Sequence, residues 1–120
     1  MIRVFVYKNI RTHQFSAKAL VGPDRGRVIA RGDTMELVDV SFRVSEAGRQ
    51  RVLREKRKNV HAGVVGTLVR SDADAPVLDT PVTYDPYKWA SFVRRADGTA
   101  VIRAARASLR PEGVTAEGVS

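Results

Sequence analysis

The chain has no cysteine among its 120 residues. Disulfides, thiolate nucleophiles and Cys-ligated zinc or iron–sulfur centres are therefore excluded, and a reducing compartment is expected. Histidine is nearly as scarce, with two residues, and tryptophan occurs once. No apolar run approaches the roughly 18 residues that suggest a membrane span. Residues 1–8 lack the basic region, unbroken apolar stretch and cleavage site of a signal peptide, so a cytoplasmic protein without a membrane partner is expected. A Gly-rich phosphate loop, a dinucleotide fingerprint, His-Glu-x-x-His and a nucleophile elbow are missing too. Asp72 and Asp74 have metal-like spacing, but no further ligands follow where a calcium loop needs them. Neither a metal nor a cofactor is expected.

Positive charge is plentiful. The formal net charge is +8 and the sequence pI about 10.6, a field that concentrates polyanions. Of 21 basic residues only Lys8, Lys18, Lys56, Lys58 and Lys88 are lysines; arginine's planar fork suits phosphate and carboxylate. The excess is local. Between Ser45 and His61 six cations (Arg49, Arg51, Arg54, Lys56, Arg57, Lys58) face two acids (Glu46, Glu55).

At this length one domain is expected, spanning residues 1–110, with 111–120 a flexible C-terminal tail because its residues are small and polar. Alternation predicts strands over 2–7 and 13–21, joined as a hairpin. The turn cluster at 22–26 leads to a short strand at 27–30. Over 35–44, Val38, Val40, Phe42 and Val44 share one face, and Leu37, Asp39, Ser41 and Arg43 the other. Ser45 is the expected N-cap of a helix over 46–58, with Glu46 suited to its first turn, Lys56 to Lys58 to its last, and Asn59 ending it. Gly48 weakens that helix by up to about 1 kcal/mol. A strand follows over 60–69, whose Gly63 and Gly66 leave room for a close neighbour. Extended pieces at 77–78 and 81–84 precede a hairpin pairing 90–94 with 100–109 around Asp97-Gly98, bringing Phe92 near Val101. The fold class is α+β: a largely antiparallel sheet or partly closed barrel of five to seven strands with one short basic helix.

Several stretches together resemble a known group. These are Val6-Tyr7-Lys8-Asn9, Gly26 to Ala30, Ala47-Gly48-Arg49-Gln50-Arg51-Val52-Leu53, Lys58-Asn59-Val60-His61-Ala62, and Val82 to Tyr87. The chain is similar, over most of residues 1–110, to a group of small uncharacterised proteins of tailed bacteriophages and prophages. The resemblance implies a phage origin and the host bacterial cytoplasm; it carries no mechanism.

Three sites suggest chemistry. Arg51, Arg54, Arg57 and Lys58 recur at helical spacing, with Arg49 alongside, as an anion-binding stripe for nucleic-acid phosphates; the competing reading is a solvated face. His61, beside Lys58 and Asn59, is the catalytic candidate of a metal-independent nuclease, although a histidine packed at a helix–strand junction explains it more simply. Tyr84, Tyr87 and Trp89 beside Lys88 suggest base stacking, while rings in a small domain more often fill the core. The leading reading is a basic accessory protein that binds nucleic acid through the helix face and is not an enzyme. A module for an acidic host protein, such as a defence component, is the alternative, and the nuclease stands third.

Overall fold

The computed structural model describes residues 2–71 and 75–120, which leaves Asp72 and Asp74 outside the described residues. Its elements are β1 (Arg3–Lys8), β2 (Phe15–Ala19), β3 (Val28–Gly32), β4 (Met35–Val44), α1 (Glu46–Glu55), β5 (Ala62–Arg70), β6 (Thr80–Thr83), β7 (Val93–Arg94), β8 (Arg103–Arg110) and β9 (Gly113–Glu117). The nine strands form one open sheet in the order β3-β2-β1-β5-β4-β8-β9-β6-β7, and every neighbouring pair is antiparallel. The largely antiparallel sheet with one short helix stands; the count of five to seven strands is corrected to nine among the described residues. No hydrogen bonds join edge strands β3 and β7, so the sheet is not closed into a barrel.

One face of the sheet carries the core. Val4 and Val6 of β1, Phe15 and Ala17 of β2, Leu37 and Phe42 of β4, Val64 of β5, and Ala107 and Leu109 of β8 form a single buried cluster. Leu37 and Leu109 are almost fully enclosed, each a burial that favours folding by about 1.5–3 kcal/mol. The alternation in β4 breaks at Asp39, which takes φ 52° in an irregularity of the β4–β5 pairing between Val38 and Ser41. That extra residue moves Met35 and Leu37 onto the core face with Val40 and Phe42. Leu37 was expected opposite Val40; the bulge corrects it. Arg3 holds the bulge by donating to the Asp39 carbonyl at 2.6 Å.

On the other face, Glu36 is 4% exposed. Burying a carboxylate is costly unless it is paired, and Arg70 and Arg106 lie 3.1 and 3.3 Å from it. Arg106 also meets Glu117 at 2.6 Å. The charges thus cross four adjacent strands: β5, β4, β8 and β9.

Two segments depart from expectation near the C-terminal side. The hairpin expected between 90–94 and 100–109 is reduced to the two-residue β7 and a single bridge, Val93 to Ala100, because β8 pairs instead with β4 and β9. Phe92 and Val101 do meet, the Val101 N–H donating to the Phe92 carbonyl. Residues 111–120, expected to be a flexible tail, contain β9, which lies between β8 and β6. Its apolar pattern is short: Ala116 joins the core cluster and Val114 packs against it. The Ser120 carbonyl further accepts from the N–H groups of Ile102 and Arg103.

The helix connects the ends of β4 and β5. Ser45 caps it as expected, its hydroxyl accepting from the Gly48 N–H at 3.2 Å. It stops at Glu55, not Lys58. Lys56 adopts the left-handed conformation, φ 58°, and its N–H closes on the Val52 carbonyl. Residues 56–59 are all polar, so another turn would bury nothing, whereas ending there lets the chain return to β5.

Candidate functional site

The early stop of α1 redistributes the basic residues. Arg57 and Lys58 lie beyond the helix and cannot belong to a helical stripe with Arg51 and Arg54. The reversal at Lys56 nevertheless brings them back: Arg51, Glu55, Arg57, Lys58 and Asn59 line a shallow cleft of about 260 Å³. Arg51 is 3.7 Å from Glu55, one helical turn on. Arg54, Arg57 and Lys58 are exposed and make no ion pair with any described acid.

Arg49 leaves the set. Its side chain is 15% exposed and meets Glu46 at 3.0 Å, while its Nε donates to the Pro86 carbonyl at 3.0 Å. Arg49 thus fastens α1 to the segment after β6. Glu46 also accepts from the Gln50 amide at 2.7 Å. That bond, together with the Arg49 guanidinium, holds the Glu46 carboxyl below its usual range against an opposing effect of partial desolvation. At the far end of the helix, Lys56 Nζ lies 5.9 Å from the Tyr87 ring centre, within cation–π range. Lys56 was not singled out as a site residue from the sequence, because its contact depends on a helix end that spacing placed three residues later.

His61 sits at the junction of α1 and β5 with both ring nitrogens engaged. Nδ1 is 2.8 Å from the Asn59 carbonyl oxygen, an acceptor only, so Nδ1 carries the proton in the neutral ring. Nε2 then accepts from the Tyr84 hydroxyl at 2.6 Å. Burial pushes the Tyr84 pKa up, which keeps the hydroxyl protonated as a donor; Glu46 and Asp85 push the same way and Arg49 opposes them. A general base needs a free lone pair aimed at its substrate, and this ring offers none without breaking a hydrogen bond. The two contacts hold the ring between the loop after α1 and the end of β6. Lys58 and Asn59 bring no acid or base to it: Lys58 lines the cleft, and Asn59 contributes its backbone carbonyl.

The three candidate stacking residues also part company. Tyr84 meets His61 edge-on at 5.5 Å and stacks on Phe92 at 5.1 Å. Phe92 in turn lies 5.2 Å from Phe42, so a row of rings runs from the helix junction into the core. Tyr87 is 57% exposed. Trp89 is partly exposed, with Lys88 Nζ 5.7 Å from its ring centre. Tyr87 and Trp89 are thus surface rings beside cations, while Tyr84 belongs to the row of rings.

No described helix is long and apolar enough to cross a membrane, and the described residues contain no cluster of three or more His, Asp or Glu positioned to hold a metal.

The sequence is that of a bacteriophage protein. The chain belongs to the family described as the Mycobacterium phage L5 gene 82 protein, whose model matches residues 1–117. It is 40% identical over 121 residues to the Gene 82 protein of Mycobacterium phage L5, across 96% of this chain and 95% of that protein. No solved structure matches it.

Proposed function

We propose that this protein is a basic phage accessory protein that binds nucleic acid in the host cytoplasm through the C-terminal end of α1 and the loop after it. The observation that carries this reading is the charge left over around that end. Arg54, Arg57 and Lys58 are exposed with no described acidic partner, while Arg57, Lys58 and Arg51 border one concave cleft. Unpaired cations held close together repel one another, and a phosphate backbone relieves that repulsion. A helix C-terminus is itself the negative end of the peptide dipole, so some of this charge is offset locally; three cations within five residues exceed what the dipole needs.

The test is binding of labelled single-stranded and duplex DNA and RNA across a salt series. The variant Arg54→Ala/Arg57→Ala/Lys58→Ala is expected to bind more weakly and to lose about two to three units from the slope of log affinity against log salt. Wild-type protein that ignores every nucleic acid at low salt would overturn the reading, and the charge would then be assigned to an acidic protein partner. The same samples, run on a gel, report any cleavage.

A further inference from the structure

The outer face of the sheet carries a pair of aromatic rings that the reading above does not use. Phe5 and Tyr7 stand two residues apart on β1, on the face opposite Val4 and Val6, and both are partly exposed. Their ring centres are 5.9 Å apart with planes 27° from parallel. Phe5 lies over Gly63 of neighbouring β5: a Cβ built at Gly63 would stand 2.6 Å from Cζ of the Phe5 ring. The glycine therefore lets the ring lie down across the adjacent strand, against the backbone. Beside it a hollow of about 290 Å³ is lined by Phe5, Leu20, Arg43, His61 and Val65, among others.

Cations frame these rings. Lys18 on β2 is directly opposite Phe5. Arg31 on β3 is opposite Ser16, which is itself opposite Tyr7. Arg43 on β4 is opposite Gly63. None of the three makes an ion pair with a described acid. Paired planar rings on a sheet face, with basic side chains on both flanks, match the chemistry of unpaired bases: rings offer a stacking surface and the cations follow the phosphates. Stacked bases inside a duplex present no such face to the rings.

We infer that the outer face of β1 and β5, centred on Phe5 and Tyr7 and framed by Lys18, Arg31 and Arg43, is a second binding surface, specific for single-stranded nucleic acid. The inference rests on the nucleic-acid reading for the class of ligand and adds to it the strandedness and a separate surface.

The experiment compares a labelled oligothymidylate with an abasic oligodeoxynucleotide of equal length, by fluorescence anisotropy. The double variant Phe5→Leu/Tyr7→Leu keeps apolar cover over Gly63 and removes both rings. It is expected to bind the oligothymidylate about tenfold or more weakly and the abasic strand as wild type does. The Arg54→Ala/Arg57→Ala/Lys58→Ala variant is expected to weaken both strands alike. Wild-type protein with equal affinity for the two strands, or a double variant that binds oligothymidylate unchanged, overturns the stacking surface and leaves the helix reading intact. Loss in the double variant with none in the triple variant does the reverse. Should the double variant fold poorly, ultraviolet crosslinking of the wild-type complex decides: the label is expected on the tryptic peptide of residues 4–8, and crosslinks confined to other peptides overturn the inference.

Discussion

The Tyr84 hydroxyl makes the junction between α1 and β5 sensitive to alkali. Its folded-state pKa is raised, chiefly by burial, so the protonated form is the one that folding favours. That contribution is fully present below the unfolded value of about 10 and is lost as pH rises through the higher folded value. Denaturant midpoints of the wild type should therefore fall as pH rises above about 10, and Tyr84→Phe should flatten that decline. At neutral pH the same variant leaves His61 Nε2 without its donor and should cost about 1 kcal/mol. Identical alkaline limbs for the two proteins would show that the hydroxyl is not coupled to folding.

At the scale of elements, Gly48 separates two expectations that composition alone confuses. As a helical residue, glycine is the weaker choice, and alanine should gain up to about 1 kcal/mol. The packing says otherwise, since a Cβ at this position would lie 2.6 Å from the Cβ of His61. Gly48→Ala should destabilise the protein by about 1 kcal/mol or more, overpacking losses of about 1–3 kcal/mol outweighing the propensity gain. A rise in thermal midpoint would refute the close approach of α1 to β5. The same contrast marks what was legible from the residues. Alternation located most strands, and Ser45 announced the start of α1, because those signals are local. Its end at Lys56 was not legible, since lysine in a left-handed conformation has no compositional mark. The Asp39 bulge, which reassigned Leu37 to the core, was hidden for the same reason. The basic residues were visible as a cluster, but their split into the inward Arg49, the Glu55-paired Arg51 and the unpaired Arg54, Arg57 and Lys58 depends on where the helix stops and what lies beside it. Phe5 and Tyr7 fall on one face of β1 by alternation, yet the seat of Phe5 on Gly63 required the β1–β5 register.

At the scale of the whole molecule, β9 is a splice. It pairs on one side with β8 and on the other with β6, so that the β6–β7 ribbon reaches the rest of the sheet through it. Removing residues 113–120 should do far more than trim an end: it exposes two strand edges and takes Ala116 from the core. The loss is expected to exceed the roughly 5–15 kcal/mol that holds a domain of this size folded, giving a chain that shows no cooperative melting by circular dichroism and elutes as aggregate. A truncated chain with a wild-type melting curve would reduce β9 to an appendage.

That splice also sets a schedule for synthesis. A ribosome delivers residues 80–94 before it delivers residues 113–117, and in the finished sheet β6 has no partners other than β7 and β9. The nascent chain can assemble β1 to β5 as it emerges, but it must carry the β6–β7 ribbon unplaced while the next two dozen or so residues are made. During that interval Val82 and Phe92, both buried in the final core, have no finished sheet to cover them. The β6–β7 ribbon is therefore the last part of the sheet to find its place, docking only once β9 has been made.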